Sequence, residues 1–526
     1  MHTMQAIHWE STYLGIELGS TRIKALLLDS RLHSLAAGEF SWENQLIDGV
    51  WTYALDNVWE GLRSCYCSLC KDLLRQGYPL PPTFGAIGIS GMMHGYLPLD
   101  AQGRQLAPFR TWRNTMTKDE SELLSTRLEF HIPQRWSIAH LYQAIRAGLP
   151  HVRQIRYLTT LAGYVHWKLT GSFVLGIGDA SGMFPVGDGD FDQKRCAAFD
   201  ELVPDMPWKL HEILPSVLRA GENAGFLSEE GARLLDSTGT LRPGIAFCPP
   251  EGDAATGMVA TNSILPRTGN VSVGTSIFTM AVLERPLHRF YPEVDIVATP
   301  DGAPVAMIHC NNGLGEIDAW AGLLRGFLKA FGLSCSQSSL YQMLYALALQ
   351  GDADCGGLLA YNYLSGEHIT ELSSGRPLLV RAPGSRFTPE NLMRTQVFSA
   401  LSTLRIGMDV LTVEGIHIDR LFGHGGFFKS GTAGQRLMAA ALNVPISVMD
   451  SAAEGGAWGI AVLAAFRAAG GAPESFGSYL TNTVFTEKSA HTVSPIRSDA
   501  EGYNRFLCRF RRGLAVERTA ASLFEC

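Results

Sequence analysis

Two stretches of this chain, ELGSTRIKALLLD at 17–29 and SVGTSIFTMAVLE at 272–284, carry one pattern 255 residues apart. In each, an apolar strand runs into a glycine and hydroxyl turn, and a second apolar strand ends on an acid. The turns are Gly19-Ser20-Thr21 and Gly274-Thr275-Ser276. Apolar runs on either side of such a turn predict a β-hairpin. A hairpin repeated at half the chain length predicts two similar halves, each opening on the same unit. Length agrees, because 526 residues exceed the roughly 250–300 that one core supports. The expected division is 12–264 and 265–526.

Around these hairpins the pattern is that of an α/β protein. A third strand is expected after the polar turn at Ser30-Arg31. Residues 53–77 place Leu55, Val58, Trp59 and Leu62 at helical spacing before Gly77. FGAIGISG, 84–91, reads as a buried strand that ends in the loop SGMMHG. Later, a strand ends in a glycine loop at Gly423–Gly426, and a helix is expected near Ser430, a good N-cap residue. The strand VPISVM follows, then a helix from Ala452 in which Gly455, Gly456, Ala457 and Gly459 allow close backbone approach. YNRFLCRFRRGLAVERTA reads as a final amphipathic helix.

Composition excludes several classes. A net charge of −7 gives no basic face for nucleic acid and no polybasic membrane anchor. No apolar run approaches the roughly 20 residues that span a bilayer, and MHTMQAIHWEST has no apolar core of a signal peptide. The expectation is a cytoplasmic protein with reduced thiols. Cys65, Cys67 and Cys70 lie in a helical stretch without a second Cys/His pair at zinc spacing, so small core residues are the expected reading.

The two glycine turns can act as a clamp, since each offers backbone N–H and hydroxyl donors to phosphate oxygens. The G-x-x-x-x-G-K-[ST] spacing of a Walker A loop is missing. Phosphoryl transfer then needs positioning, a metal and a base. In FCPPEGDAATGM, Asp253 falls at the start of a probable helix, whose N-terminus favours an ionised carboxylate. Two readings stand at this position: a general base, or an N-cap.

Six motifs in order resemble the FGGY family of carbohydrate kinases, most closely its xylulose kinase (pentulose kinase) branch. IELGSTRIK (16–24) resembles the first phosphate loop, SGMMHG (90–95) the substrate loop and GDASGM (178–183) a later motif of the first domain. EGDAATG (251–257) resembles the segment of the catalytic Asp, and GNVSVGTS (269–276) the second phosphate loop. GHGGFFKS (423–430) with EGGAWGIAVLA (454–464) is similar to the adenosine-binding region. The resemblance implies an actin-like, ribonuclease H-like α/β fold of two similar domains with a cleft between them. It implies ATP and Mg2+ as cofactors, a small-molecule sugar as substrate, and allows a homodimer.

Residue by residue, it implies Asp253 as general base in contact with the sugar, and Met93, His94 and Trp112 as sugar contacts. Gly19, Ser20, Thr21, Gly274, Thr275 and Ser276 fall on the phosphate turns, and Gly425 and Gly426 on the pair that packs against adenine. Lys24 either reaches a phosphate or lies solvated. Glu17 falls on the magnesium position, where the family usually has Asp; being longer, it holds the ion differently or through water. Trp112-Arg113-Asn114 replaces a common W-N-D, and Phe427-Phe428 either flank adenine or pack in the core. The reading is ATP-dependent phosphorylation of a ketopentose, xylulose- or ribulose-like. A hexulose or sugar alcohol is the alternative, with an actin-like ATPase lacking sugar kinase activity a more distant one.

Overall fold

A computed structural model describes residues 7–429, 431–449, 455–471, 475–486 and 490–523. The chain divides into two compact units. The first takes in Met1–Ile264, Ile296–Val305 and Glu454–Glu487; the second takes in Leu265–Asp295, Ala306–Ala453 and Lys488–Cys526.

In the first unit, β1 (Tyr13–Leu18), β2 (Arg22–Leu28) and β3 (Ser34–Ser41) form an antiparallel meander. On its other side β1 pairs in parallel with β4 (Ala86–Gly91), and β4 with β5 (Ala246–Phe247). The order is β5-β4-β1-β2-β3. Strand periodicity sends Leu14, Ile16 and Leu18 of β1 to one side, all at most 1% exposed. Gly15 and Glu17 point the other way, where the helix Gly455–Ala468 lies. A Cβ on Gly15 would come within 2.1 Å of the Ala457 carbonyl oxygen, so only glycine lets this helix seat on β1. Its next crossing is as close: a Cβ on Gly459 would sit 2.1 Å from the carbonyl oxygen of Thr256, in the helix Asp253–Ala260. The small residues read from the sequence as a close-approach surface are therefore just that.

The second unit repeats the plan. Shifting β1 by 255 residues gives β6 (Thr268–Val273), which pairs antiparallel with β7 (Ile277–Val282). With β8 (Pro304–Cys310), β9 (Arg420–His424) and β10 (Ile446–Met449), the inner order is β10-β9-β6-β7-β8, matching the first sheet strand for strand. The parallel pairs β6–β9 and β9–β10 match as well. The internal repeat read from thirteen positions extends to the whole sheet.

The helix expected at 53–77 runs Leu55–Arg75. Its Cys65 and Cys70 are buried and Cys67 is exposed, and among the described residues no group of three or more His, Cys, Asp or Glu is placed to hold a metal. The final helix runs Arg497–Leu523 and buries Tyr503, Phe506 and Phe510. Ser430 and Ala452 lie outside the described residues; the helices there are described from Thr432, with Gly431 as N-cap, and from Gly455. No described helix is long and apolar enough to cross a membrane.

Candidate active site

The first hairpin turn is fastened from behind. The Trp42 indole N–H donates to the Gly19 carbonyl (2.7 Å), the Trp42 backbone N–H to that of Thr21 (3.1 Å), and the Tyr53 hydroxyl to that of Ser20 (2.5 Å). The Gly19 N–H closes the turn onto the Arg22 carbonyl (2.9 Å), which leaves the Ser20 and Thr21 groups as the donors for a ligand. Beside it lies a hollow of about 370 Å3 lined by Glu17, Gly19, Thr21, Arg22 and Lys24. Glu17 and Lys24 are cross-strand partners in β1 and β2, so the hairpin register sets the Lys24 ammonium 3.9 Å from Glu17 Oε2. Lys24 is about half exposed, so this pair contributes little to stability.

Glu17 holds a special place in the hollow. Burial pushes its carboxyl up from the ordinary value, opposed by the Lys24 charge and by the Ala457 backbone N–H. That N–H lies in the first turn of the helix Gly455–Ala468. Its Oε2 is buried and accepts no hydrogen bond. Mg2+ suits such a site, because it keeps several waters and is usually held by one or two carboxylates together with phosphate oxygens. One carboxylate whose buried oxygen accepts no hydrogen bond and faces the Lys24 ammonium at 3.9 Å, beside cationic side chains that favour phosphate, fits MgATP.

Asp253 is the first residue of its helix and Gly252 is the N-cap, so the N-cap reading of Asp253 is set aside. The Met93 backbone N–H donates to Asp253 Oδ1 (3.3 Å), joining the base candidate to the SGMMHG loop. Burial first, and then the Glu17 charge, push its carboxyl up to about 6, against the N–H groups of Met93 and Ala254. The helix N-terminus is outweighed here, yet the group remains roughly nine-tenths ionised at pH 7.

Next to Asp253 is an acid pair that the sequence left unassigned. Asp179 and Glu251 are at most 1% exposed. The Asp179 backbone N–H donates to Glu251 Oε2 (2.9 Å), and the Thr160 hydroxyl to Asp179 Oδ2 (2.6 Å). Burial pushes Asp179 up to about 7 and Glu251 up to about 8, each raised further by a neighbouring carboxylate. Asp179 lies in the quoted GDASGM motif and Glu251 two residues before Asp253. Sequence spacing gave no sign that they meet.

His94 holds a left-handed backbone, φ 67°, and is 5% exposed. Its Nδ1 lies 2.9 Å from the Gly182 carbonyl, which fixes Nδ1 as the protonated nitrogen, and Nε2 accepts from Arg135 Nε–H at 3.1 Å. Arg135 is thus a second support that sequence reading missed. Met93 packs over Gly252, where a Cβ would come within 2.2 Å of its side chain. Trp112 is 39% exposed. Asn114 is spent on structure: its Oδ1 accepts from the Trp51 N–H (2.9 Å) and its Nδ2 donates to the Trp51 carbonyl (2.8 Å).

In the second unit the matching turn is fastened in the same way. The Leu314 N–H donates to the Gly274 carbonyl (2.9 Å) and the Gly313 N–H to that of Thr275 (2.7 Å), leaving Gly274 and Thr275 exposed, with Ser276 half-buried beside them. Asn312 is the support behind it. Its side chain spans Leu364, Ser365 and Glu367, and the Asn362 amide donates to the Asn312 and Gly313 carbonyls. Gly425 (φ 99°) and Gly426 are exposed after β9. Phe427 and Phe428 are 2% and 5% exposed, so they pack in the core.

Comparison with known proteins agrees with this geometry. Residues 12–257 match the model of the FGGY family of carbohydrate kinases, N-terminal domain, and residues 269–468 that of its C-terminal domain. The chain is 24% identical over 518 residues to the xylulose kinase of Haemophilus influenzae, covering 94% of this chain and 98% of the relative. Its fold is similar to the solved xylulose kinase from Rhodospirillum rubrum, with TM-score 0.78, 19% identity and coverage of 96% and 98%. It is equally similar to the gluconate kinase from Lactobacillus acidophilus, with TM-score 0.80, 17% identity and coverage of 98% and 99%. The fold is the actin-like ATPase fold with two domains. The chain belongs to the FGGY family of carbohydrate kinases, a family of ATP-dependent phosphotransferases.

Proposed function

We propose that this kinase phosphorylates a hydroxyl of a ketopentose, xylulose- or ribulose-like, with Asp253 as general base. The observation that carries the proposal is Asp253 itself. It is an ionised, desolvated carboxylate at a helix start, tied through the Met93 N–H to the loop that presents Met93 and His94. In the reaction, an Asp253 oxygen takes the hydroxyl proton as the sugar oxygen bonds to the γ-phosphorus of ATP. The bond from that phosphorus to the β–γ bridging oxygen breaks, and ADP leaves. Ser20 and Thr21 in 12–264, and Thr275 and Ser276 in 265–526, donate to phosphate oxygens, while Gly19 and Gly274, whose N–H groups close the turns onto the Arg22 and Ser276 carbonyls, let the phosphates approach the backbone. Gly425 and Gly426 receive the adenine. Lys24 faces phosphate from the Glu17 hollow. Mg2+, held at Glu17 directly or through water, would supply charge neutralisation on the phosphates.

Recognition of the sugar falls to Met93, His94 and Trp112, with His94 offering its ring face, since both its nitrogens are bonded to Gly182 and Arg135. Asn114 has no amide group left for a sugar hydroxyl, so a substrate read by fewer polar contacts remains in the test set. A panel of pentuloses, hexuloses, sugar alcohols and gluconate, read as sugar-dependent ADP release by the purified protein, is expected to give its highest kcat/KM with a pentulose. A tenfold or greater preference for a hexulose or polyol would remove the ketopentose assignment and leave the base assignment standing.

The acid limb follows from the base. Asp253 must be deprotonated to act, and its carboxyl is pushed up to about 6. The sugar kcat/KM is therefore expected to fall about tenfold per pH unit below pH 6 and to level off above pH 7. A flat profile down to pH 5 would argue against Asp253 as the titrating base.

Glu17 gives a separate test. Glu17→Gln removes the charge and keeps the shape, so the Mg2+ concentration for half-maximal rate is expected to rise tenfold or more. The KM for the sugar should stay within about twofold, and an unchanged Mg2+ requirement would remove Glu17 from the metal site.

A further inference from the structure

The two phosphate turns are held by different means. In the first unit, the side chains of Trp42 and Tyr53 grip the carbonyls of the turn. In the second, the grip comes from the backbone N–H groups of Gly313 and Leu314, in the loop 311–314 between β8 and the helix Gly315–Ala330. A loop outside any sheet or helix must itself be held before it can hold anything else. Its contact with the turn is also close. A Cβ on Gly313 would come within 2.4 Å of the Gly274 carbonyl oxygen and 3.0 Å of the Thr275 and Ser276 carbonyl carbons, so a shift of this loop moves the turn.

What holds the loop is the segment 362–367. The Asn362 amide donates to the Gly313 carbonyl (2.8 Å) and to the Asn312 carbonyl (3.2 Å). Asn312 Oδ1 accepts the N–H groups of Leu364 (2.8 Å) and Ser365 (3.0 Å). Next to Asn312 lies Glu367, 0% exposed, whose Oε2 accepts the Asn312 backbone N–H and its Nδ2–H, each at 3.2 Å. A backbone bridge fixes Glu367 in turn: its N–H donates to the Leu372 carbonyl (2.8 Å), and the Leu372 N–H donates back to the Glu367 carbonyl (2.9 Å). Burying a carboxyl is costly unless it is used, and apolar residues are the usual occupants of such a position.

We infer that Glu367 is a positioning residue for MgATP, acting through Asn312 and the loop 311–314 on the second phosphate turn. This rests on the reading that Thr275 and Ser276 donate to phosphate. A carboxyl suits the place because one oxygen must take two N–H groups at once. Burial pushes the carboxyl up to about 7, against the Asn312 N–H groups. Protonated or ionised, it keeps that oxygen as an acceptor. Reach, more than charge, is what the loop draws from Glu367. If the acceptor is withdrawn, the buried Asn312 backbone N–H loses its partner, and the loop moves to satisfy it.

The test is steady-state kinetics of full-length variants, with the KM for ATP measured at saturating sugar and the KM for the sugar at saturating ATP. Glu367→Asp keeps the charge and draws the acceptor back by about 1.5 Å, the length of one C–C bond. It is expected to raise the KM for ATP tenfold or more and to leave the KM for the sugar within twofold. Glu367→Gln loses the charge and keeps the reach, so both KM values should stay within threefold of the wild type. A merely structural residue would lower the active fraction, and hence kcat, without separating the two KM values. Should Glu367→Asp fail to fold, Asn362→Asp gives the reading: it keeps the shape, removes both donors to the loop, and should raise the KM for ATP alone. A KM for ATP within threefold of the wild type in the folded variant, an equal rise in both KM values, or a larger rise in Glu367→Gln than in Glu367→Asp would overturn the inference. Thr275→Ala separates the two layers. A raised KM for ATP there with none in Glu367→Asp ends this inference alone, and no rise in either ends the phosphate-turn reading with it.

Discussion

Asp253→Asn is expected to lower kcat by roughly 10²- to 10⁴-fold while the KM for ATP stays within a few-fold, since a positioned base contributes that much. Asn keeps the oxygen that accepts the Met93 N–H and nearly the same volume, so the loop that presents Met93 and His94 keeps its anchor. What is lost is the ability to take a proton. Removal of a negative charge near Glu17 also lowers the cost of ionising Glu17, because the two carboxylates repel. MgATP binding is therefore expected to hold or tighten slightly. Steady-state kinetics with the preferred sugar check this; a kcat within threefold of the wild type would refute the base assignment.

Gly459→Val is expected to cause the largest loss of stability of any single change near the site. A Cβ there meets the Thr256 carbonyl at 2.1 Å, backbone against backbone, and no rotamer change relieves it. Overpacking of this kind costs about 3 kcal/mol or more. For a unit of this size that corresponds to a fall of roughly 6–12 °C in melting temperature. The displaced helix is the one that begins with Asp253, and a shift of about 1 Å at the reacting group costs on the order of 10²-fold in rate. The control lies in the same helix: Gly257 has nothing within 4 Å of its Cβ position. Gly257→Ala should be neutral or stabilising by about 0.5–1 kcal/mol. Equal melting shifts for the two variants would remove the crossing of these helices as the cause.

The two-unit plan was legible because it rests on local signals. A strand needs alternating or continuous apolar residues, and a tight turn needs glycine, and both recur at an offset of 255. The helix start at Asp253 was legible for the same reason, although its cap was not: Gly252 caps with its backbone and leaves no side-chain signature. The small residues from Gly455 announced a close helix crossing but not its partner. That partner is β1 of the first unit, more than 400 residues earlier, and a pairing so distant leaves no trace in local pattern.

The buried acids show the same limit. Asp179 and Glu251 meet across 72 residues, and neither looks unusual in its own segment. Asn114, which stands where a common W-N-D has Asp, has an amide that clamps Trp51, 63 residues away, and nothing in its own segment announces that contact. The donors of the phosphate turns were legible, but the groups that occupy their carbonyls were not. Trp42 and Tyr53 in one unit, and Gly313 and Leu314 in the other, act through tertiary contact alone.

The central claim is that phosphate moves from ATP to a sugar oxygen whose proton goes to Asp253. The most direct measurement follows label from [γ-32P]ATP in the wild type and in Asp253→Asn, with and without a pentulose. The account predicts labelled sugar phosphate in the wild type only when the sugar is present, and at least a hundredfold slower transfer in the variant. Label that appears as inorganic phosphate regardless of sugar, at the same rate in both proteins, would contradict it.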